Sequence, residues 1–164
     1  MIPILTAPPL WTQDWLWSVP LTIITLSLHG AAIIGIGLLL GRVRRRLARR
    51  PRTHRQVAVY SVVTIGALGW ILAALHAVQA LIWAVAYRLL GMVHTMAEAV
   101  LFSVDSMTAR GGSGLELAPH WRLMGALEAT NGMLLFGVST AFVATVIKGL
   151  WTILNEHLDR RSQS

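Results

Sequence analysis

Three long stretches of this chain carry no charged residue, and they constrain its fold more than any other feature. They cover residues 15–41, 56–87 and 129–147. A helix needs about 17 to 25 mostly apolar residues to cross the hydrocarbon core of a bilayer, so each stretch could span one. The chain is also 55% hydrophobic and only 13% charged, which is unusual for a soluble domain. We therefore predict an all-α membrane protein with three transmembrane helices.

The start of the chain has no cluster of basic residues. Residues 1–9 lack the positively charged segment that opens a cleavable signal peptide, so we expect the first membrane helix to be retained. Trp11, Trp15 and Trp17 stand at its beginning, and tryptophans are enriched where a helix meets the membrane interface. They predict the outer end of the first helix.

Basic residues concentrate between the first two apolar stretches. This arginine-rich segment, residues 42–55, holds eight of the fourteen basic residues, contains no acid, and is expected to be a short loop. The eight are Arg42, Arg44, Arg45, Arg46, Arg49, Arg50, Arg52 and Arg55. Short basic loops beside membrane helices mark the cytoplasmic side and can also attract anionic lipid. We therefore expect a multi-pass protein of the cell (inner) membrane, with its N-terminus outside and its C-terminus cytoplasmic. Nucleic acid is not an expected partner.

A shorter apolar segment lies between the second and third stretches. Residues 101–114 read as an amphipathic helix that runs into a glycine-rich turn. Fourteen residues are too few to cross a core about 30 Å thick. The segment is therefore predicted to enter and leave the membrane on one side, with its irregular backbone shielded by protein or water. Such a re-entrant segment is typical of a pore.

Two parts of the sequence carry a resemblance to a known family. Residues 103–114 read S-V-D-S-M-T-A-R-G-G-S-G, which resembles the pore helix and selectivity filter of tetrameric potassium channels, where S-V-E-x-x-T-T-V-G-Y-G-D is common. Residues 121–141 are similar to the inner helix of small bacterial three-helix members of that family. The matching residues there are Trp121, Arg122, Leu123, Gly132, Phe136, Gly137, Thr140 and Ala141.

The resemblance implies a homotetramer with one central pore. It implies an N-terminal helix and basic loop over residues 1–55, followed by a pore domain over residues 56–164. Within the pore domain the implied elements are an outer helix at 56–88, a pore helix at 94–108, a filter at 108–114 and an inner helix at 119–158. No cofactor is implied beyond permeating monovalent ions such as potassium or sodium.

The filter departs from the family pattern at most positions. A potassium filter presents rings of backbone carbonyls, with glycines at alternate positions and an aromatic residue behind the strand. Thr108 matches the pattern, but Ala109 lacks the second threonine hydroxyl and Gly112 replaces the bracing tyrosine. The complete implied filter is Thr108, Ala109, Arg110, Gly111, Gly112, Ser113 and Gly114. We expect the carbonyl ladder to be absent or wide, and potassium selectivity to be weak.

Arg110 stands where the family has a valine, and three placements are open. By the resemblance, its side chain points back toward Asp105, which occupies the site of the family's buried acid and would support the filter through an ion pair. Alternatively, four copies of Arg110 face the axis and repel cations. In the third placement Arg110 reaches the outer water or pairs with Glu116.

The resemblance also implies which residues of the inner helix line the pore. Gly132 would be the hinge, and the lining residues would be Met133, Phe136, Gly137, Thr140 and Ala144. Small and hydroxyl residues also serve close helix packing, so packing is the alternative for this set.

Four other ionisable residues lie in or near the apolar stretches. Glu98 and Glu128 are expected near the outer ends of the pore and inner helices, where a carboxylate caps a helix N-terminus; a cation-attracting ring is the alternative. His29 and His76 are expected to be satisfied by neighbouring helices, with a proton sensor as the alternative.

The sequence is compatible with two classes of function. The first is a membrane channel that passes monovalent cations with weak selectivity; a conventional potassium channel is its variant. The second is a non-conducting membrane scaffold or regulatory subunit. The sequence contains no nucleophile motif, phosphate-binding loop or helical metal-ligand spacing, so an enzyme and a metal site are not expected.

Overall fold

The computed structural model describes the backbone of residues 12–48, 53–111 and 114–162. Within these ranges four α-helices follow one another: α1 (Thr12–Ala48), α2 (His54–Leu89), α3 (Met96–Met107) and α4 (Arg122–Ser162). A single 3-10 turn, Pro119–Trp121, precedes α4. The structure confirms the all-α prediction of three long apolar helices with a short helix between the second and the third.

The long helices contain segments suited to a membrane. Gln13–Arg45, Arg55–Leu89 and Arg122–Thr152 are long and apolar enough to cross a bilayer. This supports a multi-pass membrane protein. The short helix α3 has 12 residues, which corresponds to a length of about 18 Å and is too little to span a core of about 30 Å.

Two helix boundaries differ from the expected ones. The arginine-rich segment was expected to be a loop, but α1 continues through Arg42 and Arg44 to Ala48 and α2 begins before Arg55. That expectation is wrong in part, because arginine is a good helix former whose long stem carries its charge away from an apolar core. Residues 49–52 lie outside the described residues. At the other end, Pro119 opens a 3-10 turn and α4 begins three residues later.

The chain divides into two compact units, of which the first comprises Met1–Ser27 and Ala77–Leu135. Its buried apolar core includes Trp83, Tyr87, Val93, Ala99, Leu117 and Met124. Buried polar contacts also join its helices: Asn131 Nδ2 of α4 donates to Thr25 Oγ1 of α1 over 2.9 Å. Gln79 Nε2 of α2 donates to the Thr25 carbonyl over 3.1 Å. Hydrogen bonds between membrane helices contribute about 0.6 to 2 kcal/mol each. Polar contacts therefore hold α1 against α2 and α4 in addition to apolar packing.

The second unit comprises Leu28–His76 and Phe136–Ser164. Large apolar side chains of its described residues point outward; Val62 is 71% exposed and Trp70 is 78% exposed. In water such exposure would be costly. Beside lipid tails it costs nothing, which fits a membrane location for this unit too.

Candidate functional site

The short helix α3 begins with a complete capping box. Thr95 Oγ1 accepts from the Glu98 backbone N–H over 3.1 Å, and Glu98 Oε2 accepts from the Thr95 backbone N–H over 2.9 Å. The His94 N–H also donates to Glu98 Oε2. The backbone N–H of Thr95 holds the pKa of the Glu98 carboxyl below its ordinary range. The predicted capping role of Glu98 is thereby confirmed.

The other end of α3 closes in a tight turn. The Ala109 N–H donates to Ser106 O over 2.8 Å and the Arg110 N–H donates to Asp105 O over 3.0 Å. This pair of bonds is a Schellman motif, which places its closing residue in the left-handed region. Ala109 takes that position with φ of 53°, although glycine usually does.

The turn occupies the start of the implied filter. Thr108 is the C-cap of α3, and its hydroxyl donates to Val104 O over 2.8 Å. The family resemblance implies an extended filter strand here, whereas residues 108–110 form a helix-ending turn because their amides bond back to α3. Gly111 and Gly114 both have positive φ. Gly112 and Ser113 lie outside the described residues.

Arg110 forms the ion pair that the resemblance implies. Its Nε lies 2.7 Å from Asp105 Oδ1. The Asp105 side chain is 4% exposed, whereas the Arg110 side chain is 64% exposed. Glu116, the alternative partner, instead pairs with Arg122 over 3.2 Å. The guanidinium therefore offsets the charge of a nearly buried carboxylate while remaining open to solvent on its other side.

Glu128 lies in a buried polar cluster that the sequence did not predict. We expected this residue to cap the start of the inner helix, and that expectation is wrong: α4 begins at Arg122, and Glu128 is fully buried about 1.7 turns farther on. Tyr87 of α2 donates its hydroxyl to Glu128 Oε2 over 2.7 Å. Ser103 of α3 contacts Glu128 Oε1. One carboxyl group thus joins three helices.

The two contacts of Ser103 bear on the protonation state of Glu128. Ser103 Oγ also lies 2.7 Å from the Ala80 carbonyl, which can only accept. A serine hydroxyl has one proton to donate. When Ser103 donates it to Ala80, the proton in the Ser103–Glu128 contact must come from the glutamic acid. Among the described residues no cation forms an ion pair with Glu128. The arrangement therefore fits a neutral, protonated carboxyl group.

Two close contacts locate α3 along the long helices. Ala80, the partner of Ser103, stands nine positions before Leu89, the last residue of α2, which is about 14 Å along the axis. A Cβ placed on Gly132 would overlap the Met107 carbonyl oxygen and lie 2.9 Å from its carbon. Gly132 stands ten positions after the start of α4, about 15 Å along the axis. The expected hinge glycine is thus a buried contact point for the end of α3.

The remaining predicted lining residues of α4 are exposed on the single chain. Met133 is 59% exposed, and Gly137, Thr140 and Ala144 are exposed too. Phe136 is 39% exposed, and its ring stacks on His76 with centroids 4.2 Å apart. These exposures leave the residues accessible to a conduit, to lipid or to a second copy of the chain.

The two intramembrane histidines share one partner. Ser139 Oγ lies 3.0 Å from His29 Nε2 and 3.1 Å from His76 Nε2. Neighbouring helices therefore supply a partner to Nε2 of each ring, as expected, but His76 Nδ1 is buried without a hydrogen-bond partner among the described residues. A hydroxyl can donate to one ring and accept from the other, so α1, α2 and α4 of the second unit are joined through Ser139. Within the described part of the chain, no group of three His, Asp or Glu side chains could hold a metal ion.

Comparisons with protein-family models, curated protein sequences and solved structures found no match to this chain. The geometry of the chain therefore carries the functional argument.

Proposed function

We propose that this protein is the subunit of a homotetrameric membrane channel that passes monovalent cations with weak selectivity. The single observation that carries the proposal is the placement of α3. This helix is too short to span a bilayer, yet its C-terminal half contacts α2 and α4 about 14 to 15 Å from their ends through Ser103 and Met107. A short helix held at that depth between two spanning helices is the arrangement of a pore helix.

The polarity of α3 supports a cation path. Its N-terminus is capped by Thr95 and Glu98 near the ends of the long helices, and its C-terminus lies deeper, beside Gly132. The C-terminal end of a helix carries a partial negative charge. Four such ends around one axis would favour a cation near the middle of the bilayer. The ion pair with Asp105 would draw the charge of Arg110 away from that axis.

Weak selectivity follows from the turn that ends α3. Selective coordination of potassium requires stacked rings of carbonyl oxygens. Here Ala109 lacks a hydroxyl, and the N–H groups of residues 108–110 bond back to carbonyls of α3, so these residues form a turn. The carbonyl oxygens of a turn do not stack in successive rings as those of an extended filter strand do. We therefore propose a path for partly hydrated potassium and sodium ions in place of a conventional potassium filter.

The exposure of Arg110 favours a second candidate function. If the ion pair with Asp105 is not kept in the assembled protein, four Arg110 side chains, each 64% exposed on the single chain, would face the path and repel cations. A tetramer of this kind would be a non-conducting membrane scaffold or regulatory subunit. Its three-helix framework, the expected inner-membrane location and the expected topology would be unchanged.

Ion flux in liposomes separates these functions. The purified protein, its subunit number measured by native mass spectrometry, is reconstituted and tested for fluxes of potassium, sodium and a large organic cation. We expect tetramers that pass potassium and sodium at similar rates and exclude the large cation. Tetramers that move no monovalent ion would support the scaffold. A potassium preference above about tenfold would contradict the argument about the filter.

A further inference from the structure

A cavity opens among α1, α2 and α4 of the second unit. Its volume is about 230 Å³, and its walls are mostly apolar, including Leu40, Val146 and Leu150. The polar lining comprises Arg44, Tyr60 and two threonines. Nothing in the proposed ion path requires this space, because the residues assigned to that path do not line it.

Glycines make room for the cavity. Gly37 and Gly41 of α1 and Gly149 of α4 line it. A Cβ added at Gly41 would meet no atom within 4 Å, and one added at Gly149 would lie 3.8 Å from Arg44 Nη1. The Arg44 guanidinium of α1 therefore extends across to α4 and lies near Gly149, which has no side chain. The cavity can therefore hold a ligand without movement of its lining residues.

No acidic side chain in the described part of the chain neutralises the charge at the cavity. Arg44 forms no ion pair with any of the described residues, and residues 42–55 contain no acid at all. An arginine presents a planar set of donors that suits a phosphate group. The site thus offers a positive group beside an apolar space.

The position of the cavity relative to the predicted membrane selects its occupant. Each helix contributes a lining residue close to one end of its candidate span. Arg44 stands one residue before the end of the first span, and Tyr60 stands five residues after the start of the second. Gly149 stands three residues before the end of the last span. All three elements place the cavity at the same boundary of the bilayer. A phospholipid of the membrane has apolar chains and an anionic phosphate group, so it partitions to this boundary.

We propose that the cavity binds an anionic phospholipid, with an acyl chain between α1 and α4 and the phosphate on Arg44. The arginine-rich segment raises the local concentration of anionic lipid, and the cavity selects one molecule from it. The site is independent of the proposed ion path.

Native mass spectrometry of the purified protein tests the site. The probes are phosphatidylglycerol and phosphatidylcholine with the same acyl chains. Arg44→Gln removes the phosphate contact, and Arg42→Gln removes the same charge from an exposed side chain outside the cavity. Gly41→Leu fills the cavity, while Gly66→Leu adds the same side chain in open space on α2. Thermal unfolding shows whether each variant is folded.

The expected result is tighter binding of phosphatidylglycerol than of phosphatidylcholine by the unsubstituted protein. Arg44→Gln should weaken phosphatidylglycerol binding about tenfold or more, because it removes charge-assisted hydrogen bonds to the phosphate. Gly41→Leu should weaken binding of both lipids, and the two controls should change little. Equal losses for Arg42→Gln and Arg44→Gln would overturn the proposal, since they would show general attraction to the arginine-rich segment. Unchanged binding by folded Gly41→Leu, or equal binding of the two lipids, would overturn it as well.

Discussion

Replacing Glu128 tests whether a neutral carboxyl group joins α2, α3 and α4. In Glu128→Gln, the carboxamide N–H can donate to Ser103 Oγ and the carboxamide oxygen can accept from Tyr87 Oη. Both contacts of the protonated acid are therefore retained. We expect glutamine to change the free energy of unfolding by less than about 1 kcal/mol.

Alanine at the same position removes both contacts. The Tyr87 hydroxyl is fully buried, and a buried donor left without a partner costs about 1 to 3 kcal/mol. The missing side chain also leaves a void beside a packed core, which adds about 2 kcal/mol at a typical buried site. We expect Glu128→Ala to lower the free energy of unfolding by about 3 to 5 kcal/mol.

Equilibrium unfolding of the purified protein in detergent micelles measures both values. An infrared spectrum supplies an independent readout, because a protonated carboxyl group has a C=O band that Glu128→Gln should remove. The reasoning fails if glutamine destabilises the protein as much as alanine does, since an ionised Glu128 would then be the group that Ser103 and Tyr87 bind. A band that is unchanged in Glu128→Gln would refute it as well.

Three further substitutions test the ends and the packing of α3. Ala109→Gly should stabilise the protein by about 0.5 to 1 kcal/mol, because glycine adopts a positive φ without the strain of a Cβ; thermal unfolding measures this. Gly132→Ala should destabilise it by about 2 kcal/mol or more, because a methyl group would overlap the Met107 carbonyl. Glu98→Gln should remove an acid-sensitive part of the stability, measured by unfolding across a pH series. The pKa of Glu98 is lowered in the folded state, so its contribution is present above the ordinary glutamate range and is lost as the pH falls through the lowered pKa.

Each of these substitutions has a control or a contrary outcome. Gly66→Ala adds a methyl group in open space within α2 and should be neutral or slightly stabilising; an equal loss at Gly66 and Gly132 would show that the Met107 contact is not the cause. A destabilising Ala109→Gly would contradict the strained turn. Identical acid sensitivity of Glu98→Gln and the unsubstituted chain would contradict the capping box.

The long helices were predictable because a membrane imposes a simple rule. Uncharged stretches long enough to cross it must form helices, and the three stretches lie inside α1, α2 and α4. The same rule could not fix the end of α1, since arginines extend the helix beyond the apolar stretch to Ala48. Charged residues mark where a helix leaves the hydrocarbon core of the bilayer, whereas the helix propensity of the residues that follow determines where the helix ends.

The candidate site was predictable only in part. The resemblance implied the ion pair of Asp105 and Arg110, and the pair is present in the structure. The role of Glu128 depends on which side of α4 faces Ser103 and Tyr87. That rotation is set by packing, including the close approach of Gly132 to Met107. No local pattern distinguishes a capping glutamate from a buried one a few residues farther along.

The proposed conduction path can be tested with a single introduced thiol. The chain contains no cysteine, so Thr140→Cys and the outward-facing control Val62→Cys each carry one reactive group. Cation flux is measured in liposomes before and after treatment with a cationic, water-soluble thiol reagent. The account predicts that the reagent blocks flux through Thr140→Cys and leaves flux through Val62→Cys unchanged. Flux through Thr140→Cys that is untouched by the reagent, or no flux through the unsubstituted protein, would contradict it.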